Sequence, residues 1–366
     1  MAKGIYNNCY YNVVVTNDNV VVLDFWGGQM VTLKDIAEKC NVSLSTVSKA
    51  LNGSSEIGAR TIERVNAVAE EMGYHPNSAA RALKTNRSYN IGVIFEDKTE
   101  SGLQHQYFAA IFDSLKVEAE SLGYDITFIS SKLGGKDNYL RHTKYRGCDG
   151  IAIVVADYSR DDIKMLLESN VPVTTLDNVV AGSTAVMSDN TNGMKILAGH
   201  IISKGHKRIA YIHGEKTDVT MRRLDSFYST CAAHNIEIPE NYIIEAVYHD
   251  PALTEDATRK LLALDEPPTC ILYPDDFAIL GGIKVVQEKQ LEIGKDISIA
   301  GYDGILLSSL LHPSITTYKQ DGERLGKQLA FQLIKEIEHP GGFAPEEIYV
   351  PGYFVPGESV SDLTQN

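Results

Sequence analysis

The stretch from Thr32 to Cys40 carries the signals of a short, capped helix, and it constrains the fold more than any other part of the chain. Thr32 can cap the helix, and Asp35, at its third position, can return a hydrogen bond to the backbone of Thr32. The apolar positions on one helical face are Leu33, Ile36, Ala37 and Cys40. The pattern predicts a helix that ends at about Cys40 and buries this face.

A second helix signal follows after a tight corner. Asn41 can adopt the left-handed conformation that ends a helix, and Ser43 can cap the next one. Val47, Ala50 and Leu51 would then face inward. Two short helices across such a corner form a helix-turn-helix. From the spacing alone, ordinary packing of two amphipathic helices remains an alternative.

The outward side chains of the second helix suit contact with the edges of bases. They are Leu44, Ser45, Ser48 and Lys49. A lysine can donate protons to guanine acceptors in the major groove, and a leucine can contact a thymine methyl group. The segment therefore predicts binding to double-stranded DNA.

The sequences VTLKDIAEKCNVSLSTVSKALNG and GYHPNSAARAL resemble the DNA-binding headpiece of the lactose-repressor (LacI/GalR) family. The resemblance implies these DNA-contacting residues: Thr32, Leu44, Ser45, Thr46, Ser48, Lys49, Asn52, Asn77, Arg81 and Leu83. It also implies a hinge over residues 76–90 that folds on operator DNA, pairs with the hinge of a second copy and inserts Leu83 into the minor groove. A plain linker with an incidental leucine is the alternative.

The formal net charge of −14 is distributed unevenly along the chain. Between Met30 and Asn90, eight lysines and arginines stand against six acidic residues, so this segment carries +2 and the rest is acidic. DNA would repel the acidic body and attract the head only weakly. Specific binding should therefore depend on base contacts and on dimerisation.

Neither a membrane segment nor a secretory signal is evident in the sequence. No apolar run approaches the length that crosses a bilayer, and Lys3 is followed by no long apolar core. The five cysteines lie far apart without metal-ligand spacing, which is typical of thiols in a reducing compartment. These features predict a cytoplasmic protein without a cofactor or a metal ion.

Residues 1–29 fit none of the patterns that follow. Valine-rich runs at 13–15 and 20–23 flank a turn-forming segment at 16–19, which predicts a hairpin. Members of the resembling family usually begin just before the VTLKDIA segment, which here is Met30. Our hypothesis is that Met30 is the natural start, and intact-mass analysis of protein expressed from the natural gene would test it.

From Ile91 onward, strand-sized apolar runs alternate with amphipathic helices, which predicts parallel sheets covered by helices. GHKRIAYIHG, PDDFAILGG, DISIAGYDG and PSITTYKQD resemble the effector domain of the same family, which is similar to periplasmic sugar-binding proteins. The expected fold is α/β, with a helix-turn-helix head at 30–75, a hinge at 76–90 and a two-lobed, doubly wound effector domain at 91–366. Lobe one would comprise about 91–188 and 319–347, and lobe two about 189–318 and 348–366. No tetramerising coil is evident after Ile337, so a homodimer is expected.

Ligands of open parallel sheets bind beyond the carboxyl ends of the strands. Polar residues at predicted strand ends are Asp97, Asp177, Asp189, Asn190, Asp275, Asp276 and Asp303. Carboxylates and an amide suit the hydroxyl groups of a sugar, and Tyr107 and Phe108 could offer an aromatic face. By resemblance, Arg223 and Asp276 match the arginine and the aspartate that contact the effector in the family. The effector-contacting set we select is Tyr107, Phe108, Asp177, Asp189, Arg223 and Asp276, although any single aspartate could instead cap the helix that follows it.

These patterns favour a DNA-binding transcription regulator, a repressor whose operator affinity a small ligand controls. The ligand is expected to be a carbohydrate, and a purine- or phosphosugar-responsive co-repressed regulator is the alternative. A sugar-binding receptor without a role in transcription is the rival from another class. An enzyme is not favoured, because HExxH, GxGxxG, GxxxxGK and GxSxG motifs do not occur.

Overall fold

A computed structural model describes residues 31–51, 53–74, 87–96, 102–132 and 138–365, together with the backbone of residues 5–8, 11–16 and 19–23. The chain divides into two compact units, Met1–Arg87 and Ser88–Asn366. The division falls within the predicted hinge of 76–90. Most of that hinge, including Asn77, Arg81 and Leu83, lies outside the described residues, as do Asn52 and Asp97.

The head contains helices Leu33–Cys40 (α1), Leu44–Leu51 (α2) and Ala59–Glu71 (α3). The predicted start of α1 is confirmed, because Thr32 Oγ1 accepts a hydrogen bond from the backbone of Asp35 and the Asp35 carboxylate accepts one from the backbone of Thr32 at 2.7 Å. Asn41 ends α1 in the left-handed conformation at φ 49°. Ser43 Oγ accepts a hydrogen bond from the backbone of Thr46 at 3.1 Å, which confirms the predicted cap of α2.

The three helices share one small core. Ile36, Val47 and Val65, one from each helix, are completely buried. Burial of a side chain of this size contributes about 1.5–3 kcal/mol. The core therefore fixes the corner between α1 and α2 and turns the other face of α2 outward.

Near the amino terminus, strands Ile5–Asn8 (β1), Tyr11–Thr16 (β2) and Asn19–Leu23 (β3) form an antiparallel sheet. Thr16 pairs with Asn19, so the hairpin predicted for this segment is confirmed, with β1 added on its other side. The natural start at Met30 stays a prediction.

Lobe one is built on a six-stranded sheet in the order β14-β8-β7-β6-β4-β5, and all of its neighbouring strands are parallel. Its strands are Asn90–Phe95 (β4), Asp125–Phe128 (β5), Gly150–Val155 (β6), Val173–Leu176 (β7), Thr184–Ser188 (β8) and Glu347–Val350 (β14). The covering helices are Gln106–Ser121 (α4), Tyr139–Arg146 (α5), Asp161–Leu167 (α6) and Gly322–Glu338 (α12). Because β14 runs to Val350, lobe one extends past the predicted limit at 347.

Lobe two is built on a four-stranded parallel sheet in the order β10-β9-β11-β12. Its strands are Ile209–His213 (β9), Ile243–Glu245 (β10), Cys270–Leu272 (β11) and Ser298–Ala300 (β12). Its helices are Asn190–Ser203 (α7), Asp218–Ala233 (α8), Pro251–Leu261 (α9), Ile279–Glu288 (α10) and Leu306–Leu310 (α11). A separate antiparallel pair joins Thr317–Lys319 (β13) to Tyr353–Val355 (β15).

Successive side chains of β9 enter two different cores. Ile209 and Tyr211 pack in one hydrophobic cluster, whereas Ala210 and Ile212 pack in the other. Helices therefore cover both faces of the sheet, and the predicted doubly wound α/β fold is confirmed. Among the described residues, no helix combines the length and the apolar character needed to cross a membrane.

Candidate functional site

The outward face of α2 presents the side chains that were predicted to contact bases. Leu44 is 53% exposed, and Ser45 and Lys49 are also exposed, whereas Thr46 and Ser48 are half-buried. Because Val47 and Ala50 anchor the opposite face in the head core, these side chains are held in one orientation. We refer to this outward surface, formed by Leu44, Ser45, Thr46, Ser48 and Lys49, as the reading face.

Two lysines of the head form comparable ion pairs. Lys49, on the reading face, pairs with Glu56, and Lys39, at the end of α1, pairs with Glu71 at 2.8 Å. The lysine side chains are 48% and 43% exposed, respectively. The two lysines therefore differ mainly in position, which makes Lys39 a matched reference for Lys49.

A cavity of about 760 Å³ lies between the two lobes of the second unit. Its walls come from residues that follow β4, β6 and β7 in lobe one and β9, β10 and β12 in lobe two. This is the edge at which open parallel sheets bind ligands, and the volume is in the range of small-molecule sites. Of the six predicted effector contacts, it brings together Tyr107, Phe108, Asp177 and Arg223.

Two aromatic rings from the start of α4 form an apolar part of the wall. Tyr107 and Phe108 are 8% and 9% exposed, and both line the cavity. Phe108 packs edge-to-face on Phe95, with ring centroids 5.0 Å apart. The rings are therefore fixed in place and available to the carbon-bound hydrogens of a ligand.

Arg223 projects from α8 into the centre of the lobe-two wall and is 3% exposed. Its Nε donates to Asn190 Oδ1 at 2.8 Å, and Nη1 donates to the carbonyl oxygen of Pro274 at 3.0 Å. The guanidinium carbon lies 3.6 Å from the centroid of the Tyr302 ring. Of the five N–H groups of an arginine, these bonds occupy two, so donors remain for a ligand in the cavity.

Asp177, directly after β7, is one of the acids of the lobe-one wall. Burial raises the pKa of its carboxyl to about 6, although the hydrogen bond from the Ser188 backbone and the positive charge of Arg223 oppose the rise. Its backbone φ of 52° lies in the left-handed region. Ionisation of this carboxyl and the left-handed backbone both lower the stability of the folded protein. An aspartate at this position is therefore not explained by stability alone.

Replacing Asp177 by asparagine is expected to stabilise the protein by about 3 kcal/mol at pH 7. A carboxyl whose folded pKa is raised stabilises the fold only while it is protonated, and this stability is lost as the pH rises from about 4 to about 6. Asparagine cannot ionise, and it tolerates the left-handed backbone. Urea unfolding at pH 4, 5, 6 and 7 measures the difference, which should fall to about 0.5 kcal/mol at pH 4. Asp189→Asn exchanges one helix-capping residue for another at the start of α7, so it should change the free energy of unfolding by no more than about 0.5 kcal/mol. Equal effects of the two substitutions would contradict a raised pKa at Asp177.

Asp303, which follows β12, faces the cavity from lobe two. Its Oδ1 accepts a hydrogen bond from Gln320 Nε2 at 2.7 Å, and both residues line the cavity. Its φ of 95° is unusual for a residue with a side chain. Backbone strain at a ligand-facing residue is a frequent mark of a functional position.

Comparisons with known proteins agree with this arrangement. A model of bacterial regulatory proteins of the lacI family matches residues 32–77, and a periplasmic binding protein-like domain matches residues 198–360. The probable HTH-type transcriptional repressor ExuR of Bacillus subtilis is 31% identical over 339 residues, which cover 92% of this chain and all of that protein. The chain belongs to the LacI family.

Other LacI-family proteins are similar over most of their length. The transcriptional repressor PurR of Haemophilus influenzae is 29% identical over 315 residues, covering 85% of this chain and 92% of PurR. A structure of the lac repressor dimer bound to operator and the anti-inducer ONPF matches with a TM-score of 0.75 and 25% identity, over 91% of this chain and the whole of that one. This LacI-family chain is therefore a DNA-binding transcription regulator with a ligand-binding domain.

Two of the selected effector contacts lie away from the cavity. Asp276 is completely buried, where its carboxylate accepts hydrogen bonds from Thr317 Oγ1 at 2.8 Å and from the Ile305 backbone at 3.0 Å. Asp189 caps α7 by accepting from the backbone of Asn192 at 3.1 Å. Both aspartates bind within the protein, so the expectation that they contact a ligand is corrected, and Asp303 occupies the cavity wall instead.

A polar cluster of lobe one escaped the sequence analysis. Arg160 donates to Glu96 at 2.8 Å and to Asp162 at 2.9 Å, and Tyr139 donates to Glu96 at 3.0 Å. Glu96 and Arg160 line the cavity. Glu96 directly follows β4, so the strand-end rule could have found it. Arg160 lies further into a loop, and no local signal distinguishes it.

Proposed function

We propose that this LacI-family regulator is a repressor that binds operator DNA as a homodimer and changes its operator affinity when a carbohydrate occupies the cavity. The observation that carries the proposal is the presence, in one chain, of an exposed reading face on a helix pair fixed by its own core and of a cavity walled by aromatic rings, Arg223 and carboxylates. Because a regulator acts in the compartment that holds its operator DNA, we place the protein in the cytoplasm. It binds its ligand without chemical turnover.

The proposed DNA contacts come from the head, mainly from its reading face, and from the hinge. Thr32, Leu44, Ser45, Thr46, Ser48 and Lys49 are the proposed contacts in the described part of the head. Asn52, Asn77, Arg81 and Leu83 are proposed by family resemblance. Short side chains allow close approach to base edges, whereas Leu44 and Lys49 offer a methyl contact and a proton donor.

The charges of the cavity favour a neutral, hydroxyl-rich ligand. Six carboxyl groups and four lysines and arginines line it, and Arg160 and Arg223 are already held by protein acceptors. A sugar phosphate would place about −2 charge among these carboxylates, which is unfavourable. Hydroxyl groups can instead both donate to Asp177 or Asp303 and accept from Arg223. The Enterococcus faecium family member whose structure contains bound ribose is 25% identical, with a TM-score of 0.64 over 75% of this chain and 99% of that one.

A purine is the alternative ligand, and the name PurR attaches to several relatives. A purine would stack on Tyr107 or Phe108 and would place ring nitrogens opposite the polar wall. A sugar-binding receptor without a role in transcription is the alternative of another class, and specific DNA binding distinguishes it.

Ligand binding would control the DNA through the orientation of the lobes. The cavity walls come from both lobes, so a ligand that contacts both favours one relative orientation. A change in that orientation alters the spacing of the two hinges in a dimer. The expected coupling free energy is about 1–3 kcal/mol, and it must be reciprocal between ligand and operator.

Replacing Glu56 by glutamine is expected to raise operator affinity about threefold at low salt. The change releases Lys49 from its ion pair and removes a negative charge beside the reading face, and an exposed pair of this kind is weak and screened by salt. Fluorescence anisotropy with operator DNA measures the change. Glu71→Gln, which releases Lys39, should have a smaller effect, and a fall in affinity for Glu56→Gln would contradict the role of Lys49.

The decisive experiment is binding of the protein to DNA from its own upstream region, with a panel of sugars and nucleobases and at several salt concentrations. A palindromic site whose affinity one sugar shifts would support both parts of the proposal. A shift caused only by a nucleobase would favour the purine alternative. Sugar binding without any specific DNA site would favour the receptor.

A further inference from the structure

Two histidines and one aspartate meet where the lobes come together. His105 precedes α4 in lobe one, whereas His249 and Asp275 follow β10 and β11 in lobe two. The two imidazole rings have centroids 3.8 Å apart, and His249 Nδ1 lies 3.5 Å from Asp275 Oδ1. One ligand-type atom from each of the three residues lies within 4.8 Å of the others. All three side chains are more than nine-tenths buried.

The chemistry of this group matches zinc more closely than calcium or magnesium. Two imidazole nitrogens and one carboxylate are a common ligand set for Zn²⁺, whereas Ca²⁺ and Mg²⁺ prefer oxygen ligands only. Ligand atoms around a tetrahedral zinc ion lie about 3.3 Å apart, as bond lengths near 2.0 Å require. His249 Nδ1 lies 3.5 Å from Asp275 Oδ1, so the imidazole and the carboxylate already stand at about this separation, and Oδ2 is the oxygen that keeps a lone pair for the ion.

The surroundings hold the carboxylate in position. Asp275 Oδ1 accepts hydrogen bonds from the backbones of Phe277 and Ala278, at 2.9 and 2.7 Å. Oδ2 accepts one from the backbone of His249 at 2.9 Å, which leaves a lone pair on this oxygen. Outer hydrogen bonds of this kind are typical of ligating carboxylates.

We propose that His105, His249 and Asp275 form a zinc-binding site that joins the two lobes at the wall of the ligand cavity. Because the ligands come from both lobes, a bound ion ties the lobes in one relative orientation. His249 also lines the cavity, so water or a ligand hydroxyl can take the fourth position of the ion. Zinc would thus be a second ligand that controls the orientation of the lobes. The proposed zinc site does not depend on which sugar binds in the cavity.

The test is metal binding by the chelator-treated full-length protein. Titration with ZnCl₂ against a chromophoric chelator should give one tight site per chain, and CoCl₂ should produce the visible absorption of a tetrahedral ion. His105→Asn and His249→Gln should each weaken Zn²⁺ binding about 100-fold, because each removes a direct ligand. His105→Asn is compatible with the fold, since asparagine is favoured before a helix. His200→Gln, at a half-buried histidine elsewhere in lobe two, should bind as the parent does.

Thermal unfolding supplies a second readout. Zn²⁺ should raise the melting temperature of the parent and of His200→Gln but not that of His105→Asn. Loss of binding in both site variants supports a bridge between the lobes. The proposal is overturned if the parent has no tight Zn²⁺ site or if both site variants bind Zn²⁺ as the parent does. It is also overturned if the loss of only one of the two histidines weakens Zn²⁺ binding.

Discussion

Replacing Arg223 by methionine is expected to weaken ligand binding by about 100-fold or more, because charged hydrogen bonds are worth about 1.5–3 kcal/mol each. Methionine keeps an apolar stem against Tyr302 but removes every donor that the guanidinium offers to the cavity. The operator affinity of the ligand-free variant should stay near that of the parent, since the head lies in the other compact unit. Titration calorimetry with the ligand found in the DNA screen measures the first effect, and operator binding with and without ligand measures the second.

The neighbouring arginine provides the control. Arg222 lies on the same helix and carries the same charge, but it is half-buried and donates to Tyr349 instead of lining the cavity. Arg222→Met should therefore leave ligand affinity within about threefold of the parent, as expected for an exposed polar contact. Since Arg223 also holds Asn190 and Pro274, a melting curve must show that Arg223→Met is folded. A normal ligand response from the folded variant would mean that the ligand binds elsewhere.

Local chemistry was sufficient to predict the head. The cap at Thr32, the left-handed Asn41 and the cap at Ser43 each depend on residues no more than four positions away, and all three are present in the structure. The alternation of apolar runs likewise determined the α/β class, because the side-chain period of a strand differs from that of a helix. The lobe limit was less accurate, since β14 reaches its place by pairing with the distant β8.

The cavity was predictable as a region but not residue by residue. The strand-end rule placed Asp177 in the wall, yet it could not distinguish Asp276 from Asp303. That choice is made by distant residues: Thr317 donates to Asp276, and Gly301 leaves the space into which the Asp276 carboxylate turns. Gln320 holds Asp303 at the cavity. The Arg160 cluster was missed for the same reason, because its partner Glu96 is remote in sequence.

Replacing Lys49 by alanine is expected to lower specific operator affinity by about 10- to 100-fold, the value of one good base contact of about 1–3 kcal/mol. Loss of the positive charge alone would weaken specific and non-specific binding by the same modest factor. It would also make the slope of log affinity against log salt concentration shallower by about one. The ratio of specific to non-specific affinity therefore separates a base contact from a phosphate contact. Anisotropy titrations with operator and with scrambled DNA, at several salt concentrations, give that ratio.

Lys39→Ala is the matched control, because Lys39 has nearly the same exposure as Lys49 and an equivalent glutamate partner. Removing either lysine leaves a glutamate unpaired, so the comparison is made in backgrounds that carry Glu56→Gln and Glu71→Gln, respectively. In these backgrounds Lys49→Ala should reduce the specificity ratio, whereas Lys39→Ala should leave it unchanged. Equal ratios for the two lysines would mean that Lys49 supplies charge only. Sequence recognition would then belong to Leu44, Ser45 and the other side chains of the reading face, which lie closer to the start of α2.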